Sequence, residues 1–196
     1  MISLCLASAS PRRRHLLDQI GVPHVVLATD TDESRAAGES PADYVRRVAA
    51  DKAHAALAQG AHGARAVLAA DTAVVLDGTI FGKPASVEEC VAMLGALGGR
   101  THEVLTAVAL AWDGQLQGEL SVSRVALRRI DERECREYWS TGEPRDKAGG
   151  YAVQGLAAVF IEHIEGSYSG VMGLPLFETA RLLARAGVPH WSGAVG

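Results

Sequence analysis

No apolar run in the chain approaches the ~20 residues that a membrane-spanning helix needs, so no membrane span is expected. The opening "MISLCLASAS" has no basic stretch ahead of its short apolar run. That argues against a secretory leader, and the cytoplasm is the expected location. Cysteine is scarce: Cys5, Cys90 and Cys135 are odd in number and widely spaced. They offer neither a disulfide framework nor a zinc site, and each reads as a small core residue. Positive charge is not in excess, the formal net charge being −4, and aromatic residues make up only 5%. A nucleic-acid partner would ask for a basic surface and a stacking platform, and the composition supplies neither. Repeats, low-complexity tracts and a Pro/Gly/Ser-rich linker are missing as well. What remains is a chain of 196 residues, 48% hydrophobic and 21% charged, read as one domain over 1–196 with room for two lobes.

Several nucleotide and hydrolase signatures are also missing. In "DGTIFGKPAS", Asp77 to Ser86, only three residues separate Gly78 from Gly82 and Pro84 follows Lys83, so the spacing is not that of a Walker loop. No Gly-x-Gly-x-x-Gly follows a strand, and neither a Gly-x-Ser-x-Gly elbow nor a close histidine pair is present. The seven histidines are scattered and read as structural or exposed.

The pattern that is present alternates strands with helices in the first half and is richer in strand in the second. A short strand, Ser3 to Ala7, leads to Ser10-Pro11, a cap and a first helical position, with Leu16, Leu17 and Ile20 on one face and Gly21 as a stop. His24 to Ala28 reads as a strand, and Ser40-Pro41 opens a helix to about Leu57. Ala66 to Ala70 is a buried strand, Asp77-Gly78 a hairpin turn, and Ser86 with Glu89 a capping box for a helix carrying Cys90, Leu94 and Leu97 and ending at Gly98-Gly99. Strands follow at Val104 to Trp112 and Glu119 to Arg128, joined at Asp113-Gly114. Asp131 caps a helix to about Ser140, Ala157 to Ile164 is a strand, and Leu176 to Ala186 is a helix. The fold class is therefore α/β, mixed α+β, with a long mixed sheet, flanking helices and function at strand ends beside a cleft.

Chemistry gathers in a few segments. "LASASPRRRHLL" puts Arg12, Arg13 and Arg14 in the first turn of a helix, at the positive end of its dipole, where cations are disfavoured. Any one of them reads as a solvated surface group. The three together, after a strand and a small polar turn, describe an anion site of free N–H groups and guanidinium forks. "ATDTDES" clusters Asp30, Asp32 and Glu33 with no basic residue inside the segment, so the loop is either well solvated or open to a cation. In "VLAADTAVV", Asp71 stands where an apolar strand is expected to end, a place from which a carboxylate can hold Mg²⁺ or take a proton from water. Turn chemistry is the plain account of either segment, and it is harder to apply to Asp71, which apolar residues flank on both sides. Lys52 shares a helix face with Val45, Val48 and Ala56, which means either a snorkelling edge residue or an ammonium reaching phosphate. "EPRDKAGGYAVQG" reads as a connecting loop or as a binding loop in which Gln154 offers a donor and an acceptor to a base.

Taken in order, "LASASPRRRHLL", "TDTDES", the Lys52 helix, "AADTAVVLDG", "FGKP", "GRTHEV", "DKAGGYAVQG" and "GSYSGVMGLPL" resemble the Maf family, historically called septum formation inhibitors. The resemblance covers nearly the whole chain. It implies an elongated mixed sheet with two lobes around a central cleft, similar to the inosine triphosphate pyrophosphatases, and cleavage of nucleoside triphosphates between the α and β phosphates with a divalent cation, Mg²⁺ or Mn²⁺. "EPRDKAGGYAVQG" with "GSYSGVMGLPL" is similar to the branch acting on dTTP and UTP, including modified pyrimidine nucleotides, rather than on 7-methyl-GTP. By matched motif, Asp71 is implied as proton acceptor, and Arg12, Thr72 and Gln154 as residues of substrate choice. Ser8, Arg13, Glu33, Lys52 and Lys83 are implied in the phosphate and metal site, with Glu33 and Asp71 as metal ligands. A homodimer is implied too. Pyrophosphate release from another nucleotide, such as 7-methyl-GTP or inosine triphosphate, and a division regulator that senses nucleotide without turnover stay open as alternatives.

Overall fold

A computed structural model describes residues 4–191. Seven strands form one mixed sheet, and six α-helices lie against it. In chain order these are β1 (Leu4–Ala7), α1 (Pro11–Gln19), β2 (His24–Val26), α2 (Pro41–Ala58), β3 (Ala66–Leu76), β4 (Thr79–Phe81), α3 (Val87–Leu97), β5 (Thr101–Trp112), β6 (Gln115–Leu127), α4 (Glu132–Ser140), β7 (Ile161–Glu165), α5 (Tyr168–Met172) and α6 (Leu176–Arg185). The strand order is β2-β1-β3-β5-β6-β7, with β4 added to β3. β1 is parallel to both neighbours and every other pair is antiparallel. The mixed α/β class expected from the pattern is the class observed.

Local signals account for much of the element order. Ser40 accepts the Asp43 N–H ahead of Pro41, and Asp131 closes a full capping box with Glu134. At Ser86 only half of the expected box forms, because the Glu89 carboxylate takes the Ala85 N–H instead. Asp77-Gly78 and Asp113-Gly114 both turn with positive φ at each residue, the conformation that suits a twisted hairpin.

Strand ends depart from expectation. β2 is shorter than His24 to Ala28, while β5 and β6 begin earlier, at Thr101 and Gln115. Leu156 to Phe160 is a 3-10 turn, and β7 starts only at Ile161. The largest difference concerns Asp71. β3 does not stop at Ala70 but runs on to Leu76, so Asp71 lies inside it, opposite Ala107 of β5. Ten consecutive pairs with β5 carry the strand through its polar residues.

Three clusters of buried side chains cover the sheet. On one face Leu4, Leu6, Leu68 and Leu110 meet α1 and α6. On the other, alanines of β3 and β5 meet Val45, Ala49, Ala53 and Ala56 of α2. These small residues let α2 lie close to the strands. Toward the far end, Val74, Leu76, Val104 and Val125 meet α3 and α4. Cys5, Cys90 and Cys135 are all buried and free, as core residues should be.

Candidate active site

β1 pairs with β3 only as far as Ala69, and β4 picks up again at Val74. With β5 occupying the other side, the β3 edge from Ala70 to Ala73 has no strand beside it among the described residues. Asp71 and Thr72 therefore stand at a gap in the sheet, beside the carboxyl end of the parallel strand β1, where open α/β sheets place ligands. Alternation along the strand then separates the two side chains. Asp71 shares the face of Ala69 and Ala73, toward α2, while Thr72 falls between Ala70 and Val74 on the opposite face, where one core cluster gives way to the next.

A cleft of about 490 Å³ opens at this gap. Ser8, Arg12, Arg13, Glu33, Lys52, Asp71, Thr72, Lys83 and Gln154 all line it, so the residues implied by matched motif reach the same space, while Asp30 and Asp32 of the carboxylate cluster do not. Arg14 is exposed on the outer side of α1.

Lys52 is neither a snorkelling edge residue nor free. Its Nζ lies 2.8 Å from Asp71 Oδ1 and 2.7 Å from Glu33 Oε1, and its side chain is only 11% exposed. Arg35, the nearest cation in sequence, turns to the Glu39 carbonyl, and the partner of Glu33 comes instead from α2, Lys52 standing 19 positions from Glu33 and from Asp71 alike along the chain. Burial raises the Asp71 carboxyl above its usual range, a shift that Glu33 reinforces and that Lys52 and Arg13 only partly offset. Burial acts the same way on Glu33, but there the Lys52 hydrogen bond and charge, with Lys83 and Arg13 further off, hold the group low. Two carboxylates so pushed apart are chemically suited to different tasks, one to taking a proton and the other to staying ionised beside a cation.

Arg13 forms the facing wall. It donates to the Gly173 carbonyl at 2.7 Å, to Ser8 Oγ at 3.3 Å and to Thr72 Oγ1 at 3.2 Å. All three are neutral oxygens, so the guanidinium is oriented while its charge stays available to an anion. Thr106 supports Thr72 from β5 at 3.0 Å and donates to the Gly170 carbonyl of α5 at 2.8 Å. Ser8 Oγ accepts the Ser10 N–H, and Ser10 makes no side-chain cap, which leaves first-turn N–H groups of α1 beside the cleft. Arg12 pairs with Asp146 at 3.5 Å.

Sequence reasoning missed several lining residues. Lys147 contacts Asp146, and both line the cleft. Tyr44 donates to the Glu33 carbonyl at 3.0 Å, and Arg47 donates to the next carbonyl, Ser34, at 2.9 Å while gripping Glu39, so α2 holds the carboxylate loop by its backbone. Tyr151 lines the cleft and meets buried His102 at 2.7 Å. Gly149 and Gly150 have φ of +70 and +71°, and Gly149 donates to the Gly82 carbonyl, tying the "DKAGGY" loop to "FGKP". Only a polar, glycine-bearing segment hinted at this.

The cleft collects Arg12, Arg13, Lys52, Lys83 and Lys147 against Glu33, Asp71 and Asp146, a positive balance in a protein of net charge −4. Among the described residues no three His, Cys, Asp or Glu side chains converge as a metal cage. No helix there is long and apolar enough to cross a membrane. An α/β fold with a cation-lined cleft and a raised carboxylate defines the class: a protein that gathers positive charge beside a candidate acid–base group. The chain belongs to the Maf family, whose profile, described as Maf-like protein, matches residues 3–186. Relatives from several organisms carry the name dTTP/UTP pyrophosphatase. That of Saccharophagus degradans is 53% identical over 96% of this chain and 90% of its own length. The Methylococcus capsulatus protein is 53% identical over 95% and 92%, and that of Bordetella avium 52% over 94% and 96%. Among solved structures, the Ham1 protein of Staphylococcus aureus gives a partial likeness, with a TM-score of 0.46 and 17% identity over 64% of this chain and 71% of that one.

Proposed function

We propose that the chain is a nucleoside triphosphate pyrophosphatase acting on dTTP and UTP, and on modified pyrimidine triphosphates of the same shape. The observation that carries the reading is Asp71: a buried carboxylate with a raised proton affinity, one hydrogen bond from Lys52, at the edge of a cation-lined cleft. The names of the relatives in three organisms support the substrate class.

In this mechanism the triphosphate lies along Arg12, Arg13, Lys83 and the N-terminus of α1, and Ser8 and Thr72 hold the guanidinium of Arg13 in place. Asp71 takes a proton from water as the water oxygen bonds to the α phosphorus. The bond from that phosphorus to the bridging oxygen breaks, and pyrophosphate leaves with the electron pair, its charge met by the cationic wall. Lys52 orients Asp71 and neutralises the oxygens that gather charge. Glu33 and Asp71 approach one ammonium within hydrogen-bond distance, so these are the two carboxylates that would hold a hard divalent cation. Such a cation, Mg²⁺ or Mn²⁺, supplies charge neutralisation when bound. Gln154, exposed at the cleft, faces the base. A homodimer in the cytoplasm, with each chain one two-lobed unit, goes with the family resemblance.

The test is pyrophosphate release from dTTP, UTP, CTP, 7-methyl-GTP, ITP and GTP with Mg²⁺ or Mn²⁺ and again with chelator. Metal-dependent release strongest with dTTP and UTP is expected. Release strongest with 7-methyl-GTP or ITP would overturn the substrate choice, and tight binding with no release would make the protein a nucleotide sensor.

A further inference from the structure

Behind the cleft lies a carboxylate that this chemistry leaves unused. Glu143 opens a 3-10 turn just after α4, and three donors converge on it. Its Oε1 accepts from the Tyr138 hydroxyl at 2.6 Å and from the Ala157 N–H at 3.2 Å, and its Oε2 accepts from the Leu156 N–H at 3.0 Å. Tyr138, buried on α4, also accepts the Ala152 N–H at 3.3 Å. A Cβ on Gly155 would fall 2.2 Å from Glu143 Oε2, so the carboxylate occupies the space that a side chain there would need. The two side chains thereby hold the backbone at Ala152, Leu156 and Ala157 and press against Gly155. Gln154 sits inside that clamped stretch, exposed and on the cleft.

We propose that Tyr138 and Glu143 are positioning residues for Gln154, fixing the turn that presents its carboxamide and thereby setting base discrimination without touching the substrate. The proposal rests on the reading that Gln154 faces the base. A carboxamide offers one acceptor and two donors, which match the carbonyl and ring N–H of a uracil or thymine edge. Such a group rejects a wrong base through polar groups left unpaired, and only while its own place is fixed. A displacement of about 1 Å is enough to lose up to a hundredfold in rate. Hydrogen bonds to a half-buried charged acceptor, closed from both sides of Gln154, are a means of preventing that displacement.

The experiment measures kcat and KM of the full chain for UTP, CTP and GTP, with melting temperatures, in wild type, Gln154→Ala, Tyr138→Phe, Glu143→Gln and Tyr138→Phe/Gln154→Ala. The expected result is a fall of about tenfold to a hundredfold in kcat/KM for UTP in Tyr138→Phe and Glu143→Gln, carried mainly by KM. CTP and GTP change little, so the preference collapses toward that of Gln154→Ala. The double variant is then no worse than Gln154→Ala alone, because both changes remove one function. Equal losses on all three nucleotides, or losses that add to Gln154→Ala, would mean a purely structural role and overturn the proposal. Should Glu143→Gln fail to fold, Tyr138→Phe, which gives up a single hydroxyl, decides by the same ratio. If Gln154→Ala leaves the preference intact, the reading beneath the proposal is the part that fails.

Discussion

Replacing Asp71 by asparagine changes a charge and almost no volume, and the structure separates its two consequences. Asp71 is 6% exposed, and its partner Lys52 keeps a second carboxylate, Glu33, at 2.7 Å. Removing the Asp71 charge therefore strands no cation. Because burial holds the Asp71 carboxyl above its ordinary range, the folded state already disfavours its ionised form. The variant is expected to lie within about 1 kcal/mol of wild type at neutral pH. The sign with pH follows from proton binding. Folded wild type binds this proton more tightly than the unfolded chain, so its contribution falls as pH rises from about 3.9 through the higher folded value, then levels off. Asparagine lacks that loss, so Asp71→Asn should gain on wild type across the window, as urea denaturation at a series of pH values would measure.

Turnover behaves otherwise. A positioned general base is worth about 10²- to 10⁴-fold, or about 3 to 5 kcal/mol of barrier. Pyrophosphate release by Asp71→Asn at saturating UTP and Mg²⁺ should fall by that factor with the fold intact. In wild type kcat/KM should rise with pH through a value above that of an ordinary aspartate. A folded variant with kcat within a few-fold of wild type would refute the assignment of Asp71 as base.

Lys52→Met should be the more destabilising change, by about 3 to 5 kcal/mol in chemical denaturation, since it leaves buried Asp71 and its neighbour Glu33 without their shared cation; unchanged stability would show that the bridge contributes nothing. Gly149→Ala meets both a left-handed backbone and the Val74 side chain at 2.9 Å. A loss of about 1 to 3 kcal/mol is expected in urea titration, and Val74→Ala in the same chain should restore part of it. His102 is 2% exposed, and burial depresses its pKa to about 4. Its contribution is complete above about 6.5 and drains as pH falls toward the folded value, about 3 kcal/mol in all, so His102→Phe should flatten the acid side of the stability profile.

The parts of the site legible in sequence were those whose chemistry is local. Arg12 and Arg13 follow a strand and sit beside Pro11, so the first turn of α1 and its cations could be placed from a dozen residues. Lys52 could be placed on the apolar stripe of α2, but whether it met phosphate or solvent could not. Its partners lie on β3 and on the loop before α2, and only folding brings them to one ammonium. Asp71, flanked by apolar residues, reads from the sequence as a strand-end residue, because a polar pair interrupts the hydrophobic run. The strand continues because β5 pairs with it throughout, an interaction no window along one strand contains.

By itself the sequence determined the caps at Ser40 and Asp131, the two Asp-Gly turns, the alternation of strand and helix, and the ordered motifs that mark the family. Each depends on backbone propensity or on hydrogen bonds within a few residues. Tertiary structure alone decided that one edge of β3 would stand open between Ala69 and Val74, that Lys52 would bridge Glu33 and Asp71, and that Glu143 would reach past Gly155 to clamp the loop around Gln154. Those outcomes depend on sheet order and on how closely an alanine-lined face lets α2 approach, and such contacts exist only once distant segments are packed together.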